Sequence, residues 1–330
     1  MNYNYKYNEM KNKYINLKIL IGGMNINIMD TIDKNKEIIK KIINIDTLKN
    51  EVNYIKTTFE SDLVTKNVLL LEYNKVILLL SQEPLKAEYE IAKTNYEKKK
   101  KHFVKFKKAV INTTNQTIKP TKLTRIKSKD EWIECIAVKD STIIDKNSPG
   151  YLGDLGDNSS KQIKLNNNCG DVYDINNKSW CYFFVSLKCE LIKLIKDNQQ
   201  IETTLKDILG LRNEWGPYKY VVSLKVKQAD LFRPCLNNEI GQEECQQITP
   251  EIEKTPTNDP YKTWFLNWFN ESHKLNIPFT GLGYTYDVNN NTSEPYGVSE
   301  YIIKPHSDIQ INHIYTIKEY LEQVPTMCSK

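Results

Sequence analysis

The sequence predicts an α+β protein, with an N-terminal helical region followed by a mixed α/β domain. Three observations carry that reading. Gly, Pro and Trp, which punctuate strand-and-loop folds, are scarce before residue 120: all five Trp, ten of the twelve Pro and ten of the twelve Gly lie after it. Apolar residues between 30 and 110 recur at helical spacing, whereas YKYVVSLKV at Tyr218–Val226 alternates like a strand. Charge divides at the same place, since the first 120 residues carry a formal +9 and the rest −4.

At 330 residues, 40% hydrophobic and 26% charged, with mean hydropathy −0.56, the chain has material for one or two cores. These values exclude a disordered or collagen-like chain and a multi-span membrane protein. The division expected is 1–120, a basic helical region, and 121–330, the α/β domain. Val68–Leu80, the longest apolar stretch, is interrupted by Glu72, Asn74 and Lys75 and is too short to span a bilayer, so no transmembrane segment is expected. Met1–Asp30 has an apolar patch broken by Lys18 and no small-residue cleavage site. We therefore expect no signal peptide and favour a cytoplasmic location.

In order along the chain, Asp30–Ile43, Leu48–Phe59, Val64–Leu80 and Leu85–Val110 read as helices, with Asn112–Lys122 a polar loop. Leu123–Ile126 reads as a short strand. Ser128 followed by Glu131 has capping-box spacing and predicts a short helix over Ser128–Val138. Ser148–Gln162 and Asn166–Lys178 are loops. WCYFFVSL at Trp180–Leu187 reads as a buried strand, Glu190–Asn198 and Thr203–Leu209 as helices, the second stopped by Gly210. Tyr261, Trp264, Phe265, Trp268 and Phe269 form a helix-spaced stripe expected to face the core. Gly297–Lys304 and Ile309–Ile317 read as two strands joined in a hairpin.

Residue usage is skewed, with 35 Asn and 43 Lys against three Arg, as an AT-rich coding genome would give. Lys clusters are therefore cheap here, while Arg125, Arg212 and Arg233 stand out as planar, bidentate cations suited to carboxylate and phosphate. Eight Lys between Lys93 and Lys108 face only Glu97. Such a run is either a solvated helix face or a surface for nucleic acid or an anionic membrane. Seven Cys without a C-x-x-C argue against a zinc ribbon. Either Cys235 and Cys245 bridge a loop, or the thiols stay free in a reducing compartment, the simpler expectation. Thr280-Gly281-Leu282-Gly283 lacks the third Gly of a dinucleotide fingerprint, the His residues lack metal spacing, and the loop Asp residues lack a Ca²⁺-loop pattern.

Four segments, LTRIKSKDEW around Arg125, YFFVS ending at Ser186, YVVSLKV at 220–226 and SEYIIKPHSDIQI around Glu300, resemble the ADP-ribosyltransferase superfamily in order and local motif over about residues 121–320. The resemblance implies a split-sheet fold and NAD as substrate. Glu300, Arg125 and Ser186 would be the catalytic residues, and Arg125, Ser186, Tyr182 and Tyr301 would contact NAD. No metal is implied. Glu300 would stabilise the oxocarbenium-like state formed as the nicotinamide–ribose bond breaks. Arg125 would fork onto the diphosphate. Val298 stands where arginine-modifying members carry Glu or Gln, so arginine is not the expected acceptor, and the middle motif reads Val185-Ser186-Leu187 instead of Ser-Thr-Ser. The expected activity is transfer of ADP-ribose to a macromolecule, a protein first, or hydrolysis of NAD. The alternative is a non-enzymatic binding or assembly protein, viral or otherwise, with the basic helix contacting nucleic acid or a membrane.

Overall fold

The computed structural model describes residues 28–39, 43–80, 86–126, 132–148, 151–156, 161–165, 173, 182–195, 201–212, 218–290 and 294–328. The chain divides into two compact units, Met1–Lys105 and Phe106–Lys330. No described helix is long and apolar enough to cross a membrane.

The first unit is helical: α1 (Ile28–Lys34), α2 (Lys36–Ile39), α3 (Ile45–Thr58), α4 (Leu63–Leu80) and the start of α5 (Lys86–Thr114). Asn44 caps α3 by accepting the Asp46 N–H at 2.8 Å, and Asp62 caps α4 through the Thr65 N–H and hydroxyl. Leu48, Val52 and Ile55 of α3 pack with Leu69, Tyr73 and Ile77 of α4 and with Tyr96 and Phe103 of α5. The division between units falls inside α5 because Phe106, Ala109 and Val110 pack with Ile118, Leu123 and Tyr284 of the second unit. The loop therefore begins at Asn115, after the helical residues Asn112–Thr114.

The second unit is α+β. Its main sheet is antiparallel with seven strands in the order β2-β9-β4-β1-β3-β8-β5: β1 (Trp132–Lys139), β2 (Lys161–Lys164), β3 (Phe183–Leu187), β4 (Tyr220–Lys227), β5 (Leu231–Phe232), β8 (Tyr301–Ile303) and β9 (Asp308–Thr316). A separate pair joins β6 (Tyr284–Tyr286) to β7 (Tyr296–Ser299). The described helices of this unit are α6 (Glu190–Leu194), α7 (Ile201–Ile208), α8 (Pro250–Lys254), α9 (Pro260–Lys274) and α10 (Ile317–Cys328).

Alternation gives the main sheet two apolar faces. Cys135, Ala137, Val185, Val222, Leu224 and Tyr301 lie on one, packed with Ile126, Leu152 and Ile240 from connecting segments. Ile136 and Val221 point the other way, into Leu191 of α6, Leu205 of α7 and Tyr320 of α10. The aromatic stripe of α9 is core, as expected, with Trp264 and Phe265 packed against Phe232 and Ile302.

Three expected elements differ. Trp132–Val138 is strand rather than helix: β1 pairs with both β3 and β4, and burial of Ile133, Cys135, Ile136 and Ala137 on two faces outweighs the capping signature. Ser128 and Glu131 themselves lie outside the described residues. Leu123–Ile126 belongs to no sheet; its Leu123 and Ile126 N–H groups donate to the Glu243 and Ile240 carbonyls. Gly297–Ile317 is not a hairpin. The strand breaks at Glu300, β8 lies between β3 and β5, and β9 between β2 and β4. The turn's hydrogen bonds explain this, because His306 N–H donates to Leu165 O and Leu165 N–H to Ser307 O, which ties the turn to the end of β2.

The free-thiol expectation is corrected for four cysteines. Cys235–Cys245 and Cys189–Cys328 are disulfides. Cys135 is a buried free thiol, pushed up to about 12 by burial first and by Glu190 and Glu134 next. Cys169 and Cys181 lie outside the described residues.

Candidate functional site at the junction of the two sheets

Glu300 is the residue at which one strand leaves the small sheet and joins the large one. Ser299 pairs with Tyr284 across β6–β7, and Tyr301 pairs with Val185 across β8–β3. Between them the Glu300 N–H donates to Gly283 O at 2.9 Å. Gly283 is needed there for two reasons. Its φ is +77°, and a Cβ would sit 2.5 Å from Arg233 Cδ. The Thr280–Gly283 segment thus makes a tight approach to a buried arginine.

The register of β8 against β3, carried one residue past Val185–Tyr301, sets Ser186 opposite Glu300. Ser186 also pairs with Ile136. Val298 and Ile302, two residues either side of Glu300, belong to the clusters packed beneath the helices. One oxygen of the carboxyl is correspondingly dry. Glu300 keeps partial exposure as a residue, but its Oε2 is sealed from solvent and has no hydrogen-bond partner. Burial pushes this carboxyl up to about 8, and among the described residues no cation offsets it. Most buried polar atoms are paired, so a lone carboxyl at a strand break marks a position held for chemistry more readily than for stability.

The other expected site residues divide. Ser186 is buried beside the Glu300 rung. Tyr301 is on the opposite face: its hydroxyl accepts from Arg233 Nη2 at 2.9 Å and donates to Thr124 O at 3.0 Å, while its ring carries the guanidinium. Tyr182 accepts from Trp264 Nε1 at 2.6 Å within the aromatic cluster of α9. Arg125 is not brought to Glu300. It is exposed, with Nε donating to Gly241 O at 2.8 Å and Nη1 3.1 Å from Glu243, on the segment that follows Thr124 over the Tyr301 face.

Two residues outside the expected site organise the junction, Arg233, which the sequence singled out only as one of three arginines, and Glu190, which it did not. Arg233 is fully buried, with Nη1 on Gln242 O and Nη2 on Thr124 O, both at 2.8 Å. Its persistence in a Lys-rich chain was the available signal. Glu190, at the start of α6, accepts the Thr124 hydroxyl at 2.6 Å, the Ser299 N–H at 2.8 Å and the Ser299 hydroxyl at 3.0 Å. Nothing in its local sequence distinguishes it from any acid in a first helical turn.

Elsewhere, the α5 basic run is partly consumed within the helical unit, where Lys99 meets Glu72 at 2.9 Å and Lys100 meets Glu51 at 2.7 Å. No group of three His, Cys, Asp or Glu among the described residues is arranged to hold a metal ion. No family model, curated protein or solved structure matches the chain.

Proposed function

We propose that the 106–330 unit cleaves an N-glycosidic bond, with NAD as substrate, and passes the ADP-ribosyl group to a protein acceptor or to water. The carrying observation is the Glu300 carboxyl, dry, unpaired at Oε2 and set beside Ser186 at a strand break. The resemblance of the segments around Ser186 and Glu300 to ADP-ribosyltransferases supports the same reading.

The chemistry follows from charge. Nicotinamide departs from an oxocarbenium-like sugar, and a carboxylate placed at the ribose stabilises that cation. Without substrate, the buried Glu300 carboxyl holds its proton at neutral pH. The cationic nicotinamide ring of NAD favours the ionised form once it lies nearby, so binding releases a proton. Arg125 has no part in this version, since it is engaged at the surface with Glu243.

The test is NAD turnover by the full chain and by Glu300→Gln, with proton release on NAD binding followed calorimetrically in two buffers of different ionisation enthalpy. The expected result is turnover and proton uptake by buffer in the wild type, and neither in the variant, with an intact fold. Equal turnover in both removes Glu300 from the mechanism. Failure of the wild type to bind NAD leaves the second reading, a binding or assembly protein. That reading is favoured by one observation: Arg125 ties the 123–126 segment to the 241–243 loop instead of facing a ligand site.

A further inference from the structure

We propose that Glu190 is a positioning residue for Glu300, and that the Cys189–Cys328 disulfide makes its grip depend on the redox state of the chain. Ser299 immediately precedes Glu300, and both its N–H and its hydroxyl are held by the Glu190 carboxylate. The same carboxylate takes the Thr124 hydroxyl, so one acid joins the end of β7 to the segment beside Tyr301. A carboxylate accepting three short hydrogen bonds fixes the backbone it holds more firmly than a neutral acceptor does. With Ser299 fixed on one side and Tyr301 paired to Val185 on the other, Glu300 has little freedom to turn its carboxyl towards water.

Glu190 is itself held from behind. It opens α6, a five-residue helix too short to persist without tertiary support. Cys189, its neighbour, is bonded to Cys328 at the end of α10, and the Tyr320 hydroxyl of α10 donates to Lys188 O at 2.5 Å. Within α6, Leu191 packs with Tyr320 and Val298. A dithiol reductant delivers two electrons and two protons to the bond, yields two thiols and is itself oxidised to a disulfide. The start of α6 then loses its covalent tie to α10 and keeps the Tyr320 bond, the Lys188–Glu134 ion pair and Leu191 packing. The consequence for catalysis rests on the proposed function, but the positioning itself does not.

The test uses the full oxidised chain, Glu190→Gln with the disulfide intact, and the Cys189→Ser, Cys328→Ser double variant. These variants are preferred to a reductant, which would also open Cys235–Cys245. Two quantities are read: amide hydrogen exchange at Ser299, and the titration of the Glu300 carboxyl by carbon NMR, assigned with Glu300→Gln. The expected wild-type titration lies near 8. Both variants move it down towards the ordinary carboxylate range and speed exchange at Ser299 by about tenfold or more, while exchange at Val222 and Leu224 stays slow. An unchanged titration in Glu190→Gln overturns the positioning role. A shift in Glu190→Gln without one in the serine pair overturns the redox link. Should the serine pair loosen Val222 and Leu224, Cys328→Ser alone opens the bond with one substitution fewer, and the same titration decides. A chain that fails to turn over NAD but passes this test loses the proposed function and keeps the clamp.

Discussion

Each unit of this protein draws a glutamate partly out of water, and the two are treated in opposite ways. In the helical unit Glu51 of α3 is met by the Tyr96 hydroxyl and by Lys100 at 2.7 Å, both from α5. Residues four apart share a helix face, so the helical period itself delivers a donor and a cation to the same acid. In the α+β unit Glu300 stands where a strand changes sheets. No repeat places a cation or donor beside it, and among the described residues Oε2 has no hydrogen-bond partner. Regular structure brings complementary groups together by its repeat, and a break in it leaves a group whose environment nothing local corrects.

The sharpest way to break that comparison is pH. An unfolded carboxyl loses its proton in the ordinary range, whereas folded Glu300 holds its proton until about 8. The unfolded state therefore binds fewer protons across that window, and stability falls as pH rises through it, by about 1.4 kcal/mol per pH unit where the two states differ. Glu300→Gln removes this slope, so denaturant unfolding at pH 5 and pH 8 gives a difference for the wild type of several kcal/mol and little for the variant. Parallel slopes in the two proteins would show that Glu300 is not the buried acid.

Next in size is Gly283→Ala. A Cβ at φ +77°, 2.5 Å from the Arg233 side chain, costs about 3 kcal/mol through strain and overpacking. A melting temperature within a degree or so of wild type would mean that Arg233 yields easily and is no fixed post behind the junction.

In the helical unit, Glu51→Ala leaves the buried Tyr96 hydroxyl and Lys100 without their acid and costs about 2 kcal/mol. Denaturant unfolding of the variant against the wild type checks this. The smallest effect belongs to Glu72→Gln. Its Lys75 and Lys99 partners are well exposed, so the loss stays below about 1 kcal/mol and shrinks further in high salt.

Legibility followed the same contrast. Val64–Leu80 and Leu85–Val110 read as helices and are helices over Leu63–Leu80 and Lys86–Thr114: the first is apolar on all sides and long enough to be a buried helix, and the second follows Pro84 as one long uninterrupted stretch. Tyr218–Val226 read as a strand and is β4, buried on both faces. Trp132–Val138 misled because a two-residue capping signal lies beside a segment whose partners, β3 and β4, come from fifty to ninety residues onward. Of the site, Glu300 and Ser186 were chosen from local motif and do come opposite one another in the carried-on register. Arg125 was chosen from the same resemblance and from its residue type, and is engaged elsewhere. Glu190 was invisible, since its partners Thr124 and Ser299 are remote in sequence.

The sequence by itself determined that the chain is α+β, where its helices run, and that few arginines stand among many lysines. Those are properties of composition and of short periodic repeats, which depend on nearest neighbours. Only the tertiary structure decided which strand pairs with which, that four cysteines bond, and that one glutamate is left dry while another is paired. Each of those depends on which distant segment supplies the opposing group, and burial assigns that segment by the fit of whole faces rather than by any signal a few residues long.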